Sequence, residues 1–290
     1  MRTGETALLA VFGHPVGHSL SPAMHRAALR AAGLIGDYLA FDVAPETFAA
    51  ALSAAGTLGF RGLNVTIPHK EAACEAADDL LPAAARIGAV NTLLRDGGRW
   101  VGDNTDGAGW LDSLKEELDV APAGLRVALL GAGGAARALG DALLSGGCEH
   151  LTVYNRDPAR AEALCAVLAR HHGGQKVRAA STAQLDTRFV DLLVNTTPLG
   201  MQGRWEGMMP CAPDSLGPHL IVSDIVYRPQ RTPLLEAAEL RGARVHGGLG
   251  MLVHQGARAF EQWFGVAAPV EQMRAAVRAE LSNDRALAGD

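Results

Sequence analysis

Cysteine is scarce, with four in 290 residues. Cys74, Cys148, Cys165 and Cys211 form no C-x-x-C pair and no finger-like Cys/His spacing. That excludes a convincing zinc set and a disulfide framework, and makes reduced cytoplasmic thiols the expectation. Long apolar runs are also missing. The run over residues 8–12 is too short for a signal h-region and breaks at Gly13. Nothing approaches the roughly 20 apolar residues that cross a bilayer, so no membrane partner is expected. There is no excess of positive charge: 26 Lys+Arg stand against 31 Asp+Glu, for a net charge of −5. The sequence therefore gives no reason to expect nucleic acid or an anionic surface as partner, and any basic site must be local. Several catalytic signatures are absent. No G-x-S-x-G elbow occurs, and no P-loop lysine follows a glycine turn. A Y-x-x-x-K dyad fails, because Tyr38, Tyr154 and Tyr227 are followed at that spacing by Asp42, Pro158 and Arg231. Repeats and low-complexity tracts are absent too.

What is present describes a soluble globular protein, with 48% hydrophobic and 20% charged residues. The length suits one large or two medium domains and a sizeable core. Strand-like runs at residues 8–12, 38–43 and 62–65 alternate with helical patterns at 21–32 and 45–55. That alternation argues for a largely parallel α/β sheet. Asp96-Gly97-Gly98, between 91–95 and 99–102, reads as a hairpin that adds an antiparallel ribbon. Ser21-Pro22 resembles an N-cap followed by proline at the first helical position. A helix over 108–118 and a break at Pro122 and Gly124 place a domain switch near Gly107. Further strands are expected at 151–154, 177–179, 192–195, 220–224 and 244–246, with helices between them. Gly247-Gly248-Leu249-Gly250 is a candidate hinge, helices follow over 251–264 and 270–281, and residues 282–290 are expected to fray.

The second half is organised around Val127-Ala-Leu-Leu-Gly-Ala-Gly-Gly-Ala-Ala136. A short β-type run ends at Gly131, and a helical pattern begins at Ala135. Strand, glycine turn and helix together make G-x-G-x-x-G/A a dinucleotide fingerprint rather than a turn that only serves packing. Gly131 permits the turn, Gly133 removes a side chain where backbone approaches a pyrophosphate, and Ala136 allows close helix–strand packing. The helix start then offers free N–H groups to phosphates. The next strand ends Val153-Tyr-Asn-Arg156, with Arg160 one turn on. Two guanidiniums there suit the 2′-phosphate of NADP in preference to the bare ribose of NAD. Asp157 works against that reading, since a carboxylate beside the 2′ position repels phosphate.

Other polar loops have two readings each. In Asn64-Val-Thr-Ile-Pro-His-Lys70, Lys70 follows a strand's C-terminal end, where open α/β sheets gather ligands. It is either a surface lysine or an acid–base group for an alcohol, and His69 reads as structural. Gly102-Asp-Asn-Thr-Asp-Gly107 is an Asx-type turn or a loop in which Asp106 pairs with Lys70. Ser21 is an N-cap or a ligand group. Ser19 has no evident capping role, and the two hydroxyls could hold a carboxylate. Metal-free, lysine-assisted hydride transfer survives these exclusions.

The chain resembles the shikimate dehydrogenase family along nearly its whole length. The matching stretches are His18-Ser-Leu-Ser-Pro22, Asn64–Lys70, Gly88-Ala-Val-Asn-Thr92, Gly102–Gly107, Gly131-Ala-Gly-Gly-Ala-Ala136, Asn155-Arg156, Asn195-Thr-Thr-Pro-Leu-Gly-Met201 and Gly250-Met-Leu-Val-His-Gln255. The resemblance implies an α/β protein of two domains. An N-terminal substrate domain, residues 1–106 completed by 248–290, has a mostly parallel sheet. A doubly wound, Rossmann-type NADP domain covers 107–247. It implies that Ser19 and Ser21 hold a substrate carboxylate, and that Thr66, Asn91, Asp106, Tyr227 and Gln255 reach ring hydroxyls. Lys70 and Asp106 form the catalytic pair. Gly131, Gly133, Gly134, Ala135, Asn155, Arg156 and Arg160 bind the cofactor, and Gly248 and Met251 border the nicotinamide. The activity implied is NADP-dependent reduction of 3-dehydroshikimate to shikimate by a cytoplasmic monomer or homodimer. The substrate class is a hydroxylated cyclohexene or cyclohexane carboxylate. Within the same chemistry the alternative is quinate, with NAD as a second cofactor option. From a different class, the alternative is a non-catalytic dinucleotide-binding module.

Overall fold

The computed structural model describes residues 6–288, with side chains described as far as Asn283. The first elements are β1 (Ala7–Gly13), α1 (Ser21–Ala31), β2 (Gly36–Asp42), α2 (Phe48–Thr57), β3 (Phe60–Val65), α3 (Lys70–Ala76), β4 (Asp79–Leu80), α4 (Pro82–Ile87), β5 (Thr92–Asp96) and β6 (Arg99–Asp103). Next come α5 (Asp106–Leu118), β7 (Arg126–Leu130), α6 (Gly134–Ser145), β8 (His150–Asn155), α7 (Pro158–His172), β9 (Val177–Ser181), β10 (Leu192–Asn195) and β11 (Ile221–Asp224). The chain closes with α8 (Pro233–Leu240), β12 (Arg244–His246), α9 (Gly248–Phe264) and α10 (Val270–Ala288). Two compact units result: Met1–Thr105 with Val253–Asp290, and Asp106–Leu252. The second boundary falls inside α9. Residues 282–288, expected to fray, continue α10, and 289–290 lie outside the described residues.

The first unit holds a six-stranded sheet in the order β2-β1-β3-β5-β6-β4. β1 runs parallel to β2 and β3, while β5 and β6 form the antiparallel ribbon. Phe12, Phe48, Leu63, Leu93 and Trp100 are among the side chains that fill its core. Gly62 has no side chain because the Trp263 indole lies against β3 there, a Cβ at Gly62 falling 2.0 Å from Nε1. That indole N–H donates to the Leu93 carbonyl at 3.0 Å. The start of α1 differs from expectation. Leu20 occupies the N-cap and Ser21 is the first helical residue. Ser19 takes the capping part, its Oγ accepting the Ser21 backbone N–H at 3.3 Å. Its hydroxyl therefore has a local structural use that sequence spacing did not suggest.

The second unit is a wholly parallel sheet in the order β12-β11-β10-β7-β8-β9. The reversal of strand order beside β7 is the switch point where doubly wound sheets take ligands. Helices were expected in every crossover, but two lack an α-helix among the described residues. Residues 182–191 and 196–220 contain only short 3-10 turns. Positive-φ glycines at 200, 203 and 207 and prolines at 198, 210 and 213 account for the second. In the glycine run at 247–250, Gly248 and Gly250 lie in the first turn of α9, close to the boundary between the units at Leu252 and Val253. Their bareness serves packing. A Cβ at Gly248 falls 2.2 Å from the Ile225 carbonyl, and one at Gly250 falls 2.0 Å from Ser113 Oγ. Beneath that turn runs a hydrogen-bonded chain. Trp110 Nε1–H donates to Ser223 Oγ (3.0 Å), and Ser223 meets His246 Nδ1 (2.9 Å). His246 Nε2 meets Ser113 Oγ (2.8 Å), which donates to Glu117 Oε1 (3.2 Å). An indole only donates and a carboxylate only accepts, so one direction satisfies every member and His246 carries its proton on Nε2.

Candidate active site

In the first unit the candidate groups gather at the C-terminal ends of β1 and β3. Thr66 follows β3, and its N–H bonds the Phe12 carbonyl at 2.9 Å. Gly13 is required beside it, since a Cβ there falls 2.4 Å from Thr66 Cγ2. The turn over Ile67 and Pro68 delivers Lys70 as the first residue of α3, half-buried, its carbonyl accepting the Val90 N–H at 2.8 Å. His69 is buried, stacks on Phe48 at 4.8 Å and bonds the Val43 carbonyl through Nε2 at 2.7 Å, as its structural reading required. Asn91 stands between β3 and β6: its carbonyl accepts the Val65 N–H (2.8 Å) and its N–H bonds the Asp103 carbonyl (3.0 Å). Asn91 Nδ2 reaches Gln255 Oε1 at 3.5 Å. Asn91 thus ties the end of β3, which Thr66 and Lys70 follow, to Gln255, and Ser19 and Ser21 lie at the head of α1.

Behind these groups lies a buried polar set that sequence reasoning missed. The Tyr38 hydroxyl donates to Asn64 Oδ1 at 2.7 Å, and Asn64 Nδ2 donates to the Asn91 carbonyl (3.1 Å) and to Thr92 Oγ1 (3.2 Å). Burial pushes the Tyr38 phenol well above its ordinary value, opposed by a hydrogen bond with the Ser21 side chain. His25 stacks on Tyr38 at 4.4 Å with both ring nitrogens unpartnered, and burial pushes its pKa down to about 3. A signal existed: Asn64 is an amide within the buried run Gly62–Val65, and a buried amide needs partners.

In the second unit the glycine turn is shaped for an anionic ligand. Gly131 has φ +111°, and a Cβ there falls 2.6 Å from Thr196 Oγ1. Gly133 is the N-cap of α6 with no side-chain cap, and a Cβ at Gly133 meets nothing within 4 Å. That bare cradle leaves room for a pyrophosphate against the N–H groups of Gly134 and Ala135. Gly131 N–H also bonds the Tyr154 carbonyl at 2.8 Å, tying the turn to the end of β8. There Asn155 Nδ2 donates to the Asp157 carbonyl at 2.9 Å. Arg156 and Arg160 are exposed, and Asp157 caps α7 by accepting the Ala159 N–H at 3.1 Å. A capping duty accounts for an acidic residue beside two guanidiniums. The residues present fit a phosphorylated dinucleotide.

Tyr227 is in the segment after β11, and burial raises its phenol. That segment is held by Asp224, fully buried and pushed up to about 6 by desolvation. Its carboxylate accepts from Asn195 Nδ2 (3.0 Å), the Val226 N–H (3.1 Å) and Thr232 Oγ1 (2.7 Å). Gly248 lies under the Ile225 carbonyl, and Met251 is buried in the same turn of α9. Asp106 is the buried first residue of α5 and belongs to this unit, whereas Lys70 belongs to the other. Among the described residues no cluster of His, Cys, Asp and Glu could hold a metal ion.

Comparison with known proteins follows the same division. Residues 11–93 match the model of the shikimate dehydrogenase substrate binding domain, 114–197 that of shikimate / quinate 5-dehydrogenase, and 248–278 that of the shikimate 5'-dehydrogenase C-terminal domain. A shikimate dehydrogenase (NADP(+)) of Methanopyrus kandleri is 48% identical over 281 residues, 96% of this chain and 97% of that protein. The chain belongs to the shikimate dehydrogenase family. Among solved structures, a shikimate dehydrogenase in complex with NADP+ is similar with a TM-score of 0.92 at 36% identity, covering 97% of this chain and 98% of that one. A shikimate 5-dehydrogenase of Thermus thermophilus, in complex with NADP(H) and shikimate, gives a TM-score of 0.86 at 40% identity, covering 94% of this chain and 99% of that one. Shikimate dehydrogenase architecture, with two mostly parallel α/β sheets and a Rossmann-type second unit, is therefore what this sequence builds.

Proposed function

We infer that this protein is an oxidoreductase that reversibly reduces 3-dehydroshikimate to shikimate with NADP as its cofactor. The observation that carries this reading is the pairing of features in one chain. One unit has a bare glycine cradle at a helix start, and the other a set of hydroxyl, amide and ammonium groups that a nucleotide does not need. Residues 107–247 are the cofactor domain in this proposal, and residues 1–106 with 248–290 the substrate domain. Gly131, Gly133, Gly134 and Ala135 take the pyrophosphate, and Asn155, Arg156 and Arg160 take the adenosine ribose and its phosphate. Gly248 and Met251 border the nicotinamide, which when bound supplies or accepts the hydride. Ser19 and Ser21 hold the substrate carboxylate. Thr66, Asn91, Tyr227 and Gln255 bind ring hydroxyls. Lys70 gives the carbonyl oxygen its proton as hydride reaches the carbonyl carbon, or takes the hydroxyl proton in the reverse direction, and Asp106 orients Lys70 and the substrate.

Absorbance at the nicotinamide band, measured for shikimate and quinate with NADP+ and with NAD+, tests the reading. Shikimate with NADP+ is the expected pair, and quinate, named in one matching family model, is the disfavoured alternative. Replacing Lys70 by Ala should lower kcat by roughly 10²–10⁴-fold, the ordinary value of a positioned acid–base group. Full kcat in that variant refutes the assignment. NADPH binding without oxidation of either acid would favour a non-catalytic dinucleotide module. No helix among the described residues is long and apolar enough to cross a membrane. We place the enzyme in the cytoplasm as a monomer or homodimer.

A further inference from the structure

The loop over residues 225–232 leaves β11 and returns to α8 at one buried carboxylate. At its start Asp224 Oδ1 accepts the Val226 N–H at 3.1 Å, and at its end Oδ2 accepts the Thr232 hydroxyl at 2.7 Å. Thr232 also caps α8, its Oγ1 accepting the Leu235 N–H at 3.3 Å. Asn195, opposite Asp224 on β10, supplies the remaining donor, Nδ2 to Oδ1 at 3.0 Å. The Asn195 amide has one polarity. Its Oδ1 accepts the Thr197 N–H at 3.0 Å, and its Nδ2 also meets the Leu199 carbonyl at 3.3 Å. The Asn195 backbone carbonyl accepts the Ile225 N–H at 3.1 Å.

Asp224 has no exposed surface, and every group that bonds its carboxylate is a neutral donor. A carboxylate buried without a cation is costly, and desolvation pushes this one up to about 6. What it offers in return is an acceptor on both oxygens, so that three donors from separate parts of the chain converge on one side chain.

Tyr227 lies inside this loop. Beyond it the Arg228 carbonyl accepts the Gln202 N–H at 2.8 Å. The ring is half-buried, and among the described residues the Tyr227 hydroxyl makes no hydrogen bond. Its side chain is therefore not anchored through its own oxygen, and its placement falls to the backbone on either side.

We propose that Asp224, helped by Asn195 and Thr232, is a positioning residue for the substrate. It pins the 225–232 loop at both feet and so holds the Tyr227 hydroxyl ready for a ring hydroxyl. A group ordered before binding costs less to order on binding. This inference rests on the substrate role proposed above for Tyr227.

The test is a double-mutant cycle at pH 8 in the full chain, with shikimate and NADP+. Tyr227→Phe removes the hydroxyl, and Asp224→Ala removes the carboxylate. Each should raise the KM for shikimate roughly tenfold, the value of one buried hydrogen bond, with the KM for NADP+ unchanged. The double variant should match Tyr227→Phe within about twofold, because no hydroxyl is left to place. Asp224→Asn keeps an oxygen for Val226 and Asn195 and should stay within about twofold of the wild type. Effects that multiply in the double variant, an NADP+ KM that rises in step with the shikimate KM, or an asparagine variant as impaired as the alanine one overturn the proposal. If Asp224→Ala does not fold, Thr232→Val removes one of the loop's two feet and Thr232→Ser restores it. The shikimate KM should rise several-fold in the first and recover in the second, and equal values in the two overturn the proposal. Hydrogen exchange at the Val226 amide, followed by NMR in the unliganded protein, gives a second readout. It should be slow in the wild type and in Asp224→Asn and faster in Asp224→Ala or Thr232→Val, and identical exchange throughout also overturns the proposal. If the wild type oxidises neither shikimate nor quinate, the functional reading fails, and the exchange measurement still decides whether the carboxylate holds the loop.

Discussion

His25 gives the molecule a defined response to acid. It has no exposed surface, no hydrogen-bond partner on either ring nitrogen, and a pKa pushed from 6.5 down to about 3 by desolvation. The folded chain keeps it neutral, while the unfolded chain binds a proton below 6.5. Between about 3 and 6.5 the unfolded state therefore holds more protons, and stability rises with pH. His25 exerts no penalty above 6.5 and a growing one as acid approaches 3. Each pH unit in that interval is worth about 1.4 kcal/mol, so the full shift corresponds to about 5 kcal/mol at most. At pH 4.5 the penalty is about 3 kcal/mol, a large share of the 5–15 kcal/mol typical of a folded protein. The perturbation is His25→Leu, which removes the titrating group and two unsatisfied nitrogens from the stack against Tyr38 and Trp263. Urea unfolding of both proteins is measured between pH 4.5 and 8. The difference in unfolding free energy should be constant above pH 7. Below it, the difference should turn progressively in favour of the leucine variant, by about 1.4 kcal/mol per unit. Because it is a difference between two proteins, every other titrating group cancels. A difference independent of pH refutes the reasoning.

Asp224 acts in the opposite sense. Its raised pKa, about 6 against 3.8, means that the folded chain holds the extra proton. That contribution is present below 3.8 and lost as pH rises through about 6. Asp224→Asn should thus gain about 2.4 kcal/mol on the wild type between pH 4 and 7, and urea unfolding at those two values checks it. Gly131→Ala forces a positive φ on a residue with a Cβ and should lower the unfolding free energy by about 1–3 kcal/mol. Gly133→Ala, whose Cβ meets no protein atom, should leave unfolding unchanged and weaken NADPH binding in a fluorescence titration. Asp157→Thr keeps a side-chain cap on α7 while removing a negative charge beside Arg156 and Arg160. It should hold the melting temperature and tighten NADP+ binding several-fold over NAD+, whereas Asp157→Ala should cost about 1 kcal/mol of stability.

Local signals carried most of the architecture. The run ending at Gly131 reads as a strand and turn because apolar residues stop where glycine begins. The Asp96-Gly97-Gly98 hairpin reads from its turn chemistry. The failures have a common cause, which is that long-range neighbours decided the outcome. The spacing of Gly248 and Gly250 does not reveal that the Ile225 carbonyl and Ser113 Oγ are pressed against them. Ser19 lacks a capping position by spacing alone, yet its hydroxyl reaches the Ser21 N–H because Leu20 takes the cap site. Residues 196–220 interrupt the strand–helix rhythm through glycines and prolines whose effect is cumulative rather than signalled by one motif. At the site, the glycine cradle and Lys70 were legible as motifs. The contacts of Tyr38, Asn64 and Thr92 were not: Tyr38 belongs to no motif, and Asn64 and Thr92, the ends of two quoted motifs, meet partners far away in sequence.

The buried chain from Trp110 through Ser223, His246 and Ser113, which ends on the exposed Glu117, bears on how this sequence can drift. Losing one serine strands its neighbours, since an indole N–H or an imidazole nitrogen is then left unpaired in the interior. Exchanging all the polar members for apolar ones of matching shape removes the same groups at far smaller cost. Descendants of this chain should therefore keep Ser113, Ser223 and His246 as a set or abandon them as a set, and sequences holding only one of the three should be rare.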